Sequence, residues 1–274
     1  MLGIECGEGE EITMNETNVV NDFYARYNEE ERLVDRAGQV EFATTMKYIH
    51  KYLKSGMKIA EIGAGTGRYS LALAREGYEV SAVELVERNI EVFKSKIRED
   101  DNVSVIQGNA MDLSGFADES MDMTLSLGPM YHLFSEEHKK KALEEAIRIT
   151  KKGGIIMVAY CMNEATILQY CFKQETLWDD IEKGLLSDDF MWTANENDAF
   201  SLVRPEDIKA LTEGYPVERL GLVATDGASR YMSDMLDGMS EELWKKYLEY
   251  HFSICEREDL IGASNHVVDV MRRM

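Results

Sequence analysis

The chain has 274 residues, of which 45% are apolar and 30% charged, a soluble globular balance with room for one large domain or an ordinary one with an insertion. Its formal net charge of −21 disfavours a phosphate backbone as partner, because the only tight basic clusters, Lys139–Lys141 and Lys151–Lys152, read as solvated helix ends. The longest apolar run, Ile155–Met162, is too short to cross a bilayer, and the acidic N-terminus lacks the basic start and apolar centre of a secretory signal.

Taken in chain order, residues 18–35 show apolar positions at helical spacing, with Asn18 as a candidate cap. Met14 stands as an alternative start. A second helix fits 39–53, stopped by Gly56. From Met57 strands and helices alternate. "MKIAEIG" is a strand, "RYSLALAREG" a helix, "YEVSAVEL" a strand, "ERNIEVFKSKIRED" a helix, and "NVSVIQGN" and "SMDMTLSLG" are strands. "SEEHKKKALEEAIRITKKGG" is a long helix with a Ser cap, and "IIMVAYC" is the fifth strand. This alternation predicts a parallel sheet with helices on both faces. Beyond it, 164–186 reads as helical at mixed three- and four-residue steps, "DAFSLV" as a loop with a possible strand, and "RPEDIKALTEG" as a helix with Pro205 in its first turn. "VERLGLVAT" is a sixth strand, 231–255 a helical stretch rich in Met and aromatics, and "SNHVVDVMRR" a seventh strand.

The stretch Lys58–Tyr69, "KIAEIGAGTGRY", carries the chemistry. A strand runs into Gly63, Gly65 and Gly67, with Glu61 two positions before the first. Glycine permits a sharp turn and close approach of a ligand, and the helix that follows offers free N–H groups. The dinucleotide fingerprint G-x-G-x-x-G would place pyrophosphate there, but here the order is E-x-G-x-G-x-G. A phosphate gains nothing from Glu61, whereas a ligand with an ammonium group does. Glu84, at the end of the second strand, suits a ribose diol, a feature shared with dinucleotide sites.

"EIGAGTGR", "AVEL", "QGNAMDL", "SLGPMYHL" and "KKGGIIMVAY", in that order over about 57–162, resemble the class I S-adenosylmethionine-dependent methyltransferases. The resemblance implies an α/β, Rossmann-like, doubly wound seven-stranded sheet, mostly parallel with its last strand antiparallel, and S-adenosylmethionine as cofactor. It carries cofactor binding onto Glu61, Gly63, Ala64, Gly65, Gly67, Glu84, Leu85, Asn109, Ala110, Met111 and Leu127. Asn109 stands where the family has an Asp for the adenine amino group, and Asp112 competes for that role. Residues 1–56 are then an N-terminal helical segment covering the cleft and 57–162 the cofactor core. Segment 163–203 is an insertion covering the cleft, and 204–274 completes the sheet with a second cover at 228–262.

Methyl transfer needs a nucleophile held in line with the methyl group, water excluded, and a base only where a proton must leave. His132 is the candidate base and Tyr131 a candidate for orienting the acceptor, each against a plain role in shaping the pocket. Tyr24 and Tyr27 are candidate substrate contacts, although helical aromatics are more often core. Asp122 and the "EEER" run at 29–32 read as a structural contact and a solvated helix end. Trp178, Trp192 and Trp244 form either an aromatic cage or the core of the covers. The four scattered cysteines, Cys6, Cys161, Cys171 and Cys255, have neither zinc nor disulfide spacing, so they read as reduced thiols of a cytoplasmic protein, and no metal site is expected. The expected function is methyl transfer to a small-molecule acceptor. An RNA methyltransferase and a non-catalytic S-adenosylmethionine-binding protein are the alternatives.

Overall fold

A computed structural model describes residues 8–193 and 199–274, so Cys6 and Asp198 lie outside the described residues. The frame is a sheet of seven strands in the order β3-β2-β1-β4-β5-β7-β6. The strands are β1 Lys58–Ile62, β2 Glu79–Glu84, β3 Val103–Gln107, β4 Met121–Ser126, β5 Thr150–Cys161, β6 Val217–Ala224 and β7 His266–Arg273. Neighbours from β3 to β5 pair in parallel, and β7 runs antiparallel to both β5 and β6. The strand order reverses at β1 and β4, the switch point where ligands of such sheets bind.

Because strand side chains alternate between faces, a strand buried on both sides needs apolar residues throughout. In β5, Ile156, Val158 and Tyr160 enter one core, and Ile155, Met157 and Ala159 the other. Helices α1 Glu8–Arg26, α2 Arg36–Tyr52, α3 Arg68–Arg75, α4 Glu87–Lys96 and α5 Glu136–Ile149 flank this frame. Tyr48 and Ile49 of α2 and Tyr69 and Leu73 of α3 fill the second core, whereas Leu143 and Ile147 of α5 fill the first. Ser135 caps α5, its hydroxyl accepting from His138 N–H at 3.1 Å, as the sequence predicts. The helix ends at Ile149 rather than at the glycines. Thr150 joins the sheet opposite Met121, with its hydroxyl 2.6 Å from that of Thr124.

Two N-terminal expectations need correction. The helix predicted at 18–35 is α1, which spans Glu8–Arg26, so Asn18 lies inside it and caps nothing. The chain leaves α1 through a single 3-10 turn, Glu29–Glu31, and Asp35 caps α2 by accepting from Gly38 N–H at 2.7 Å. Leu33 and Val34 resume the apolar spacing of Val19, Val20, Phe23, Tyr24 and Tyr27 beyond this break, so the spacing alone reads as one helix.

Segment 163–203 contains α6 Asn163–Thr166, a π turn Ile167–Phe172 and α7 Leu177–Glu182. The wider π turn accounts for the mixed apolar spacing. In place of a strand at "DAFSLV", Val203 makes one isolated bridge to Met162. Then come α8 Pro205–Leu211, α9 Ser233–Asp237 and α10 Glu241–Ile254. Leu236 and Trp244 pack with Ala37 and Val40 of α2, so this C-terminal segment buttresses α2.

Candidate functional site

A cavity opens at the carboxyl ends of β1, β2 and β4. It is walled by the glycine turn, Glu84–Leu85, Gly108–Met111, Leu127–Pro129, Tyr131–Leu133, residues of α1, Glu29 of the 3-10 turn, and Arg32 and Leu33 after it. The structure brings together here Glu61, Gly63, Ala64, Gly65, Glu84, Leu85, Asn109, Ala110, Met111, Leu127, Tyr131, His132 and Tyr24 from the sequence-derived set.

The three glycines do different work. All have positive φ, at +72° for Gly63, +55° for Gly65 and +84° for Gly67. A Cβ on Gly67 would stand 2.4 Å from the ring of buried Phe93, and Gly67 is absent from the cavity wall. Its expected cofactor role is therefore corrected to close packing of the turn against α4. A Cβ on Gly63 would meet Pro129 at 2.7 Å, so this glycine lets the β1 and β4 loops touch. Gly65 faces the cavity, where the nearest atom is Cγ of the flexible Glu29 side chain at 3.3 Å.

Carboxylates converge on this turn. Glu61 is 1% exposed, accepts from the Ser70 hydroxyl, and has its pKa raised to about 8, chiefly by burial and further by the charge of Glu84. Glu84 accepts from Gly65 N–H at 2.7 Å, Val86 N–H at 2.9 Å and the Asn89 amide at 3.3 Å. Burial raises its pKa, and the backbone bonds oppose that. Asn109 reaches the wall, but its Oδ1 accepts from Met111 N–H at 3.0 Å in a local turn. The competing Asp112 accepts from Ser114 N–H at 3.0 Å and does not line the cavity.

His132 lies at the other end of the cavity, 8% exposed. Its Nδ1 sits 3.0 Å from the Ala199 carbonyl, which can only accept, so Nδ1 carries the proton. Nε2 is then an acceptor, and the Tyr24 hydroxyl donates to it at 3.0 Å. Burial lowers the His132 pKa to about 4, against the Ala199 bond that raises it, so the ring is neutral at pH 7. Tyr131 donates its hydroxyl to Leu127 O at 3.2 Å and stacks its ring on Phe200.

Tyr27 is corrected: it stacks on Phe23, is 38% exposed and does not line the cavity. Segments 163–203 and 228–262 supply no wall residue among those described. They support the wall from behind: the Ala199 carbonyl accepts from His132, Ser201 N–H donates to Tyr131 O at 2.8 Å, and Arg230 donates to Arg32 O at 3.2 Å. Trp192 is core to the first segment, Trp178 is exposed, and Trp244 packs on α2, so no aromatic cage forms. Asp122 accepts from Lys58 N–H at 2.9 Å and pairs with Lys151, the structural role expected of it.

The sequence reading missed Glu29 and Arg32, dismissed as a solvated helix end, and Glu16, all of which face the cavity. Arg32 Nε donates to Glu29 at 2.8 Å and Nη1 to Glu41 at 2.6 Å. Glu16 bonds His138 Nδ1 at 2.7 Å and accepts from Phe134 N–H at 2.6 Å. A charge run on a helix is usually solvated, and no local signal distinguishes this one. Beyond Arg32, Glu41, Asp226 and His266 gather ligand-type atoms within 4.8 Å of one another. Arg32 at 2.6 Å and Arg230 at 3.6 Å from Glu41 make this cluster an ion-pair network.

Sheet order, antiparallel β7 and a carboxylate-rich glycine turn at the switch point define a class I S-adenosylmethionine-dependent methyltransferase fold. Residues 60–158 match the family model described as a methyltransferase domain. The demethylmenaquinone methyltransferase of Clavibacter sepedonicus is 36% identical over 105 residues, 38% of this chain and 41% of that protein. The glycine/sarcosine N-methyltransferase of Aphanothece halophytica is 28% identical over 103 residues, 37% of this chain and 39% of that protein. The chain thus spans about two fifths of the length of these curated relatives. A solved methyltransferase of Thermotoga maritima, described as a possible histamine N-methyltransferase, superposes with a TM-score of 0.54 at 19% identity. That match covers 95% of this chain and 99% of the other, and it supports the fold.

The residues fit the cofactor of that class. Buried Glu61 and nearby Glu84 favour a ligand bearing ammonium and sulfonium charges and a ribose, and oppose a pyrophosphate. Gly65 keeps the turn open on the cavity side.

Proposed function

We propose that the protein transfers a methyl group from S-adenosylmethionine to a small-molecule acceptor. The observation that carries this reading is Glu61, a carboxyl group buried at the glycine turn with Glu84 beside it. Bound there, S-adenosylmethionine supplies an electrophilic methyl carbon. In this reading Glu61 pairs with the ligand's ammonium, Glu84 accepts from its ribose hydroxyls, and Leu85, Ala110, Met111 and Leu127 bound the adenosine. Tyr24 and His132 face the acceptor. His132 Nε2 accepts a proton from the nucleophile directly or through the Tyr24 hydroxyl, and α1 excludes water.

A small acceptor is favoured because α1 and the 3-10 turn wall the cavity and because the net charge of −21 repels a polyanion. One relative, from Arabidopsis thaliana and 30% identical over 106 residues, is a tRNA (carboxymethyluridine(34)-5-O)-methyltransferase, and it keeps RNA as the second reading. Among the described residues Cys161, Cys171 and Cys255 are free and buried, which fits a reducing cytoplasm, and no helix is long and apolar enough to cross a membrane.

Titration calorimetry with S-adenosylmethionine, S-adenosylhomocysteine and NADH tests the cofactor. Release of S-adenosylhomocysteine with a panel of small amines, phenols and quinols, against total tRNA, tests the acceptor. Binding of NADH alone would refute the cofactor reading, and turnover on tRNA alone would overturn the small-molecule assignment.

A further inference from the structure

We infer that Arg32 is the anchor for the carboxylate of the ligand's amino-acid end, and that Glu29 is a placeholder which the ligand displaces. The inference rests on the S-adenosylmethionine reading above and adds a residue to that site.

Arg32 lies between two carboxylates that differ in how they are held. Behind it, Glu41 comes from the middle of α2, is 5% exposed and receives Nη1 at 2.6 Å. In front, Glu29 receives Nε at 2.8 Å. Glu29 belongs to a three-residue 3-10 turn that contains no buried residue. A carboxylate on a long helix with a buried stem fixes the guanidinium. Glu29, although its side chain is only 13% exposed, sits on a three-residue turn and lines the cavity itself, so it is the partner that a ligand can displace.

Glu29 also stands where a ligand must come. Its Cγ and Oε1 are 3.3 and 3.6 Å from the position a Cβ on Gly65 would take, and both residues line the cavity. Glu29, Arg32, Glu61 and Gly65 all face the same cavity. An α-amino acid carries one ammonium and one carboxylate on a single carbon. Glu61 offers a partner for the first and Arg32 for the second. With Glu29 in place, Arg32 is already bonded to a carboxylate of the same chemistry, so the protein holds a copy of the group it would bind. Exchange replaces one charged bond with another of similar strength and leaves Glu41 paired throughout.

The test compares two probes, S-adenosylhomocysteine, which has the amino-acid end, and 5′-methylthioadenosine, which lacks it. Calorimetry on the parent first checks the underlying reading, because a parent that binds neither probe overturns the cofactor site and this inference together. In Arg32→Gln the affinity for S-adenosylhomocysteine should fall about ten- to a hundredfold, while that for 5′-methylthioadenosine stays within about twofold. In Glu29→Gln, which weakens the placeholder and leaves Arg32 and Glu41 intact, S-adenosylhomocysteine should bind several-fold tighter and 5′-methylthioadenosine should not change. Equal losses for both probes in Arg32→Gln assign Arg32 to structure and overturn the inference. If Arg32→Gln does not fold, Glu29→Gln decides alone. A selective gain for the amino-acid probe upholds the inference, and no gain, or an equal gain for both, overturns it.

Discussion

Replacing Gly67 with Ala should destabilise the protein far more than the same change two residues earlier. Gly67 precedes α3 at φ +84°, and an added Cβ would meet three Phe93 ring atoms at 2.4 to 2.6 Å. Phe93 is fully buried with Ala64, Leu71 and Ala82, so the ring has nowhere to move. The left-handed backbone costs about 1–2 kcal/mol for a residue with a Cβ. The forced overlap adds about 1–3 kcal/mol, for a total of about 2–5 kcal/mol against a net stability of about 5–15 kcal/mol. At about 2–3 °C per kcal/mol for a chain of this size, Tm should fall by about 5–15 °C. Gly65→Ala carries the same backbone penalty at φ +55° but meets only the flexible Glu29 chain at 3.3 Å. Its Tm should fall by about 2–5 °C. Its methyl group points at the ligand, so S-adenosylhomocysteine affinity should fall at least tenfold. Differential scanning fluorimetry and calorimetry on both variants test this. A Gly67→Ala protein that melts within 2 °C of the parent, or below which Gly65→Ala melts, refutes the division of labour.

Three further outcomes are expected. Glu61 has a folded pKa near 8, above its usual 4.5, so the folded protein binds the extra proton. Stability of the unliganded protein should therefore fall as pH rises from about 4.5 towards 8, and Glu61→Gln should flatten that slope in denaturant titrations at several pH values. An ammonium group paired with Glu61 needs the ionised carboxylate, so S-adenosylhomocysteine should bind more tightly as pH rises from 6 to 8 and release a proton. Equal calorimetric enthalpies in buffers of different ionisation enthalpy would contradict this. Glu84→Ala removes the acceptor of three hydrogen bonds, and because a ribose is common to both probes, S-adenosylhomocysteine and 5′-methylthioadenosine should each weaken about ten- to a hundredfold. Unequal losses would move the ribose contact elsewhere. Finally, His132 should titrate near 4 by nitrogen-15 NMR with its proton on Nδ1, and Tyr24→Phe should shift its Nε2 resonance. A pKa above 6 would show the ring to be solvated and reopen its role.

What the chain order alone determined is what local periodicity encodes. Apolar runs such as "IIMVAYC", short, rich in β-branched residues and preceded by glycines, read as strands buried on both faces, and β5 splits its residues between two cores accordingly. Their alternation with amphipathic helices yields the parallel sheet, and three glycines behind a carboxylate mark its switch point, since turn and strand preferences act over a few residues. Tertiary structure decided what meets at that point. It set Gly67 against Phe93 and left Gly65 to the cavity, although the two glycines look alike in sequence. It turned Tyr24 onto His132, 108 residues away, and left Tyr27, one helical turn on, outside the cavity wall. It walled the cavity with the charged turn at 29–32 rather than with the aromatic segments 163–203 and 228–262, which pack behind His132 and against α2. Contacts across such separations depend on how whole elements dock, and the charge run at 29–32 carries the same local pattern whether it faces water or a cavity.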